Sequence, residues 1–342
     1  MTEKVIEFRK QYNKIVFEAK KDAQRGECIW CRKKITSFCN SHSVPRFVIN
    51  NISVDGKVEY FNDFIQIPFL DEMKGVNVAG TFKLLCRECD SIIFQDYENP
   101  EKISAYPSEK ILEEIALKNM LFMLNKRYFE VEQLSIIEKS GMPYPYEQRT
   151  EVQNLDLRDF EWDYARIKTM MLAGKSSGFK VIVWEKIPYK VPIAFQGMMT
   201  IYGDFEGDLA ADIYDKNYDV FIPHIHVAVF PLESESIVTV FYHEDDHEYD
   251  AFATQLQTFD AEEKLSAINF LIWKFTEDVL ISPLIPHRKY FINNIRDTAL
   301  ETDEIWAGMP MDEEIAKNQQ KMALKYRDKN IPNVLSEKYK LK

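Results

Sequence analysis

The chain has 5 cysteines and 6 histidines in 342 residues, and fewer basic than acidic side chains, 43 Lys and Arg against 55 Asp and Glu. It also lacks any apolar run approaching the roughly 18 residues of a membrane span. Each shortage excludes something. All the cysteines (Cys28, Cys31, Cys39, Cys86 and Cys89) fall in the first 89 positions. That distribution argues against a disulfide-stapled fold and for a local metal site. The opening residues are polar and charged, without the apolar core of a signal peptide, so the expectation is a cytoplasmic protein with no membrane partner. The net charge of -12 argues, at first sight, against a nucleic-acid partner. What is plentiful is apolar content, 46 % of the chain, ample for the cores of two or three domains.

The net charge conceals an asymmetry. Residues 1–47 carry eleven Lys and Arg against five acids, a balance of +6, and residues 203–250 carry thirteen Asp and Glu against one Lys, a balance of -12. Attraction to phosphate is a local field effect, so the basic first segment can dock a nucleic-acid backbone, DNA in the first instance, or be a solvated face. The acidic stretch is a candidate surface for a protein partner or ligand.

The basic segment leads into two Cys-x-x-Cys knuckles, Cys28-Ile-Trp-Cys31 and Cys86-Arg-Glu-Cys89, with 54 residues between them. A two-residue gap lets both thiolates of a knuckle reach one ion, and two knuckles complete the tetrahedral shell that suits structural Zn2+. Cys39 is left over, a bystander thiol. Between the knuckles lies Ser41-His42-Ser-Val-Pro45-Arg46, and Asp90 directly follows the second knuckle.

This order of knuckle, His-x-x-Pro and knuckle resembles the HNH, or His-Me finger, endonucleases whose ββα site is braced by a four-cysteine zinc. The likeness spans only residues 27–98. It implies that His42 is the general base for the attacking water and that Asp90 helps hold a catalytic Mg2+ or Mn2+. Glu98 is a further carboxylate for that ion, eight positions or about two helical turns beyond Asp90. Asn50, Asn51 or Asn62 would orient the His. Two departures stand out: Ser41 precedes the His where an acid is common, and Asp90 stands where His or Asn is usual. The two functions implied are an HNH-like endonuclease, of the bacterial defence or toxin type and regulated by its C-terminal region, and a non-catalytic zinc module that binds nucleic acid or protein. In the second, His42 serves a tight turn by bonding a backbone carbonyl.

In chain order, Val5, Phe8, Tyr12, Ile15 and Ala19 mark an amphipathic helix with Lys10, Lys14 and Lys21 outward, stopped near Gly26. Arg46–Ile52 and Val58–Ile67 read as strands joined by an Asp55-Gly56 turn. Asp90–Glu98 reads as a short helix ended by Pro100. A long helix follows to about Lys139, and 141–147 is the clearest linker. Beyond it come a helix over 157–173 and strands at 179–184, 193–202, 222–232 and 237–243 whose alternation favours an antiparallel sheet with one covered face. A helix capped by Asp260 with Glu263 carries a stripe from Leu265 to Val279, and helices are expected at 287–300 and 312–328.

The predicted class is α+β: a zinc-binding domain over 1–105, a helical connector over 106–145 and an α+β domain over 146–342. Two further motif matches are set aside. Gly174-Lys175-Ser176-Ser177 lacks the first glycine and the preceding strand of a phosphate loop. His243-Glu244-Asp245-Asp246-His247 matches the zinc-protease pattern in letters, but it sits at the end of a β pattern in an acidic turn and reads as a solvated loop.

Overall fold

The computed structural model describes residues 3–61, 73–140, 146–174, 176, 178–215, 217–276, 278–295, 313–329 and 331–342. Its architecture is α+β, and the chain divides into two compact units. One comprises Met1–Ser41, Thr81–Phe94 and Leu117–Lys175; the other comprises His42–Gly80, Gln95–Ala116 and Ser176–Lys342.

The first unit is helical around the knuckles. Its opening helix, Glu3–Asp22, buries Ala19 and leaves Lys10, Lys14 and Lys21 exposed, as the spacing predicts. The side chains of Val5 and Phe8 lie outside the described residues. Past the helix end, Gly26 takes φ +72°, a left-handed turn that suits a residue without Cβ. The first knuckle closes on itself through Cys28 N–H to Lys33 O (3.0 Å) and Arg32 N–H to Cys28 O (2.9 Å). The second knuckle opens the helix Arg87–Ile93, where the Cys86 sulfur accepts from Cys89 N–H as the N-cap. Leu117–Lys139 of the helix Glu109–Lys139, and the helix Tyr146–Ala173, complete the unit. The latter starts earlier than expected, at the end of the proposed linker, whose residues 141–145 lie outside the described residues.

The second unit is built on a seven-stranded sheet. Its strands are β1 (Lys57–Tyr60), β2 (Met73–Gly75), β3 (Phe179–Ile187), β4 (Ile193–Met199), β5 (Ile225–Pro231), β6 (Ser236–His243) and β7 (Leu280–Ile281). They lie in the order β2-β1-β7-β4-β5-β6-β3, and every pairing is antiparallel. Ile225 sits opposite Tyr242 and Pro231 opposite Ser236, a β5–β6 hairpin register set by the acidic Glu-Ser-Glu turn. A bulge between Val181 and Val183 interrupts the β3–β6 ladder.

The expected strands are there, but both faces of the central ones are covered. Every residue of β5 and β6 is buried. Ile225, Val227 and Val229 point into the main core, while Phe230 on the other face meets Tyr97 edge-on, ring centroids 6.1 Å apart. That second face is covered within the unit by the helix Arg46–Ile52, through Asn51 Nδ2–H to Pro231 O (3.0 Å), and by Ile115, whose carbonyl accepts from Gln196 Nε2 (3.4 Å).

The main core lies under the helices Asp250–Thr258 and Ala261–Phe275. Asp260 caps the latter by accepting from Glu263 N–H (2.8 Å), as its motif predicts. Trp273 is fully buried, edge-on to Phe61 (4.9 Å) and Phe291 (5.3 Å), and donates Nε1–H to Asn269 Oδ1 (2.9 Å). Helix 261–275 stops at Thr276, which takes extended dihedrals, so Val279 leaves the expected helical stripe and leads into β7.

Two local expectations are corrected. Arg46–Ile52 is a helix, not a strand: Pro45 supplies its N-cap position, and Val48, Ile49 and Ile52 fall on one buried face, a tertiary gain that outweighs the β preference of branched residues. Pro100 starts the helix Pro100–Ile103 instead of ending one, because proline suits the first turn, and Asn99 Oδ1 caps Glu101 N–H (2.9 Å). Asp55 (φ +50°) and Gly56 (φ +69°) do form the tight turn expected of them, leading into β1. The strand expected to run on to Ile67 is described only through Tyr60, since residues 62–72 lie outside the described residues. Residues 288–295 and Glu313–Met322 are helical, and 296–312 lie outside the described residues.

Candidate metal centre

Both knuckles belong to the first unit, and the fold brings their four thiols together. One ligand atom from each of Cys28, Cys31, Cys86 and Cys89 lies within 4.8 Å of all the others, close enough to hold a metal ion. A tetrahedral shell with Zn–S bonds of about 2.3 Å has sulfurs about 3.8 Å apart. Cys31 Sγ and Cys86 Sγ are 4.0 Å apart, which fits. Hydrogen bonds from the main chain fix the spacing: Ile29 N–H to Leu84 O (3.0 Å) ties one knuckle to the other, and Cys86 N–H donates to Cys28 Sγ (3.3 Å).

The thiol chemistry also suits a cation. Burial pushes Cys28 up, but backbone N–H donors from Cys31, Cys86 and Trp30 together bring it down to about 7. Burial, then the thiols of Cys86, Cys31 and Cys28, push Cys89 strongly upward. Four sulfurs this close ionise together only with a positive charge among them, and an all-thiolate shell is the donor set that zinc takes. The cluster is compatible with a structural zinc.

Asp90 is tied into the same unit. Its carboxylate accepts from Ser41 Oγ (2.7 Å), Cys39 Sγ (3.3 Å) and Lys118 Nζ (3.3 Å). Lys118 is fully buried, with its ammonium 3.5 Å from the centroid of the Phe94 ring. Burial pushes Asp90 up, but Lys118, Ser41 and Cys39 outweigh it and hold the carboxyl below its ordinary value. The leftover Cys39 therefore has a role as a donor to Asp90. Burial and the Asp90 charge push its thiol up to about 11, the opposite of an activated nucleophile.

The other expected site residues belong to the second unit. His42 is half-buried, and its Nε2–H donates to the Val76 carbonyl (2.8 Å). Glu98 is exposed in a turn: the helix that holds Asp90 ends at Ile93, so helical periodicity does not carry from Asp90 to Glu98. Asn50 is exposed, Asn51 serves Pro231, and Asn62 lies outside the described residues. Among the described residues, the four cysteines are the one group of three or more Cys, His, Asp or Glu gathered closely enough for a metal ion.

The basic segment is only partly available for phosphate. Lys14 pairs with Glu18, Arg25 with Glu161, Arg32 with Glu27 and Lys33 with Glu88, while Lys10, Lys21 and Lys34 are exposed. In the acidic stretch, Asp204 is buried and accepts from Gln255 Nε2 (2.8 Å), and Asp250 accepts from the Tyr242 hydroxyl (2.6 Å). His243 closes β6 and His247 begins the short 3-10 helix His247–Tyr249, so the two histidines of the protease-like pattern do not share an α-helical face.

No local signal points to Lys118, which lies far along the chain inside a helical stretch rich in apolar residues. No helix among the described residues is long and apolar enough to cross a membrane. No protein-family model, curated protein or solved structure matches the chain.

Proposed function

We propose that the chain is an HNH-like, metal-dependent endonuclease hydrolysing nucleic-acid phosphodiester bonds, with a zinc-braced knuckle pair and His42 as general base. The observation that supports this reading is the four-cysteine cluster, the zinc brace that the resemblance expects; the bond from His42 Nε2 to the Val76 carbonyl is expected of both a base and a turn-holding His. A carbonyl only accepts, so the proton of the neutral ring sits on Nε2 and the lone pair on Nδ1. An imidazole anchored through Nε2 is held in one orientation, which a general base requires. On the resemblance, Asp90 would be the carboxylate for Mg2+ or Mn2+, which when bound supplies Lewis-acid stabilisation of the phosphate charge, while Glu98 loses its ground as a second ligand because the Asp90 helix ends at Ile93. The exposed lysines of the first segment favour a nucleic-acid backbone as substrate, DNA in the first instance, and the acidic stretch 203–250 is the candidate surface for regulation by a partner or ligand, as in a defence nuclease held in check.

A second reading has its own support. Asp90 already accepts from Lys118, Ser41 and Cys39, the pattern of a structural post, and this favours a non-catalytic zinc module that binds nucleic acid or protein. Nicking of supercoiled plasmid by the purified protein with Mg2+ or Mn2+, beside His42→Ala and a zinc assay on both, separates the two. The nuclease reading expects cleavage that His42→Ala abolishes with zinc content unchanged. No cleavage of DNA or RNA by the zinc-loaded protein would leave the binding module.

A further inference from the structure

The first unit contains a pocket of about 430 Å³ that neither reading uses. Its lining includes three cationic side chains, Arg25, Arg32 and Lys168, and two tyrosines, Tyr128 and Tyr164. We propose that it binds a nucleotide, with the phosphate taken by the cations and the base laid on the flat face of Arg25.

The volume falls in the range of small-molecule sites and accommodates one nucleotide. The cations are held in place by contacts that leave donors over. Lys168 Nζ donates one N–H to the Trp30 carbonyl (2.6 Å), so the ammonium is fixed by a neutral acceptor and has two further N–H groups for a ligand. Arg32 is anchored to Glu27 through Nη1 alone (3.0 Å) and takes φ +60°, a left-handed conformation uncommon outside glycine. Glu27 and Glu161 offset two of the three charges, which leaves Lys168 as the excess cation of the lining.

The flat surface is built by stacking. Arg25 Cζ lies 3.8 Å from the centroid of the Tyr128 ring, and Tyr128 is itself fixed by its hydroxyl donating to Glu161 Oε1 (2.8 Å). A guanidinium held against an aromatic ring presents its outer face as a platform for a nucleobase, and such stacking is tolerant of which base it meets. Tyr164 closes the wall, with its hydroxyl donating to Ile29 O (2.9 Å).

The same chemistry is offered by a free nucleotide and by the 5′-phosphorylated end of a nucleic-acid strand. Isothermal titration of the full-length zinc-loaded protein with each of the four mononucleoside 5′-phosphates, with inorganic phosphate and with a 5′-phosphorylated single-stranded oligonucleotide tests the assignment and separates the sources. Expected are saturable binding of the mononucleotides with little base preference, weaker binding of inorganic phosphate, and a loss of about tenfold in Lys168→Gln and in Arg25→Gln with zinc content unchanged. Tighter binding of the oligonucleotide would assign the strand end, and weaker binding the free nucleotide. Arg25 is exposed, so Arg25→Gln keeps the test open if Lys168→Gln does not fold. Failure of both ligand forms to bind, nucleotide binding that neither substitution weakens, or phosphate binding as tightly as nucleotide would each overturn the proposal. Loss of zinc from Lys168→Gln without any nucleotide binding to the parent protein would reassign the cations to offsetting the thiolate charge. The readout is binding, so it is independent of whether His42 cleaves anything.

Discussion

The two units are held together by different physics. In the first, order around the knuckles rests on four sulfurs gathered within 4.8 Å of one another and a few main-chain bonds between short irregular segments. In the second, β4, β5 and β6 and two helices bury a continuous apolar core in which Trp273, Phe195 and Phe252 are almost fully inaccessible. The short segments around the knuckles bury little surface of their own to offset their ordering entropy, so a bound metal would supply it there, while the helices of the unit bury Leu117, Leu121 and Leu124 fully. A sheet covered on both faces has no such need. The contrast teaches where each unit is vulnerable: one to loss of an ion, the other to loss of volume.

The sharpest way to break the comparison is to deny the four cysteines a metal ion. Chelation, or Cys86→Ser, is expected to disorder the segments around the knuckles, since binding of a structural zinc is worth on the order of 10 kcal/mol. The second unit is expected to keep its melting transition. Calorimetry with a parallel zinc assay checks this, and simultaneous collapse of both transitions would dissolve the distinction.

The converse is Trp273→Ala, which deletes a fully buried indole and its bond to Asn269. It is expected to cost about 3–5 kcal/mol in denaturant unfolding of the second unit while leaving zinc content unchanged.

A smaller effect refines the picture of the second unit. Burial pushes the carboxyl of Glu114 up to about 7, against the lowering effect of the Tyr97 N–H it accepts. Because its folded value lies above its ordinary one, the folded state holds the extra proton between the two. Stability of this unit is therefore expected to fall as pH rises from about 4.5 to about 7. The total change amounts to about 3 kcal/mol, and Glu114→Gln should flatten it in chemical denaturation across that range.

The same division governs what could be read from the sequence. The knuckles were legible because ligand spacing is a local signal, and the Asp260 cap was legible because its partner is Glu263, one helical turn away. Strands β4, β5 and β6 showed themselves by period and branched residues. The helix over Arg46–Ile52 did not, because its β-type letters are decided by which face is buried, a fact that exists only after folding. Strand β7 escaped for a related reason: two residues carry no period, and their partners are Glu59, Tyr60, Ile193 and Ala194. At the candidate site, Cys28, Cys31, Cys86 and Cys89 could be named in advance. The tie of Asp90 to Lys118 could not, since nothing in their spacing along the chain announces it, and for His42 a bond to some backbone carbonyl was legible but not that Val76 supplies it.

Strand β7 also sets a condition on how the protein is made. Glu59 pairs with Ile281 and Tyr60 with Leu280, while Ile193 and Ala194 flank the other side. During synthesis, the hairpin of β1 and β2 emerges long before residues 280 and 281 exist. It must wait, with Phe61 lacking its Trp273 partner, until most of the chain has left the ribosome. The last gap in the sheet is thus filled by one of its shortest pieces, and until that piece arrives the edges of β1 and β4 that it joins stay open to wrong pairing.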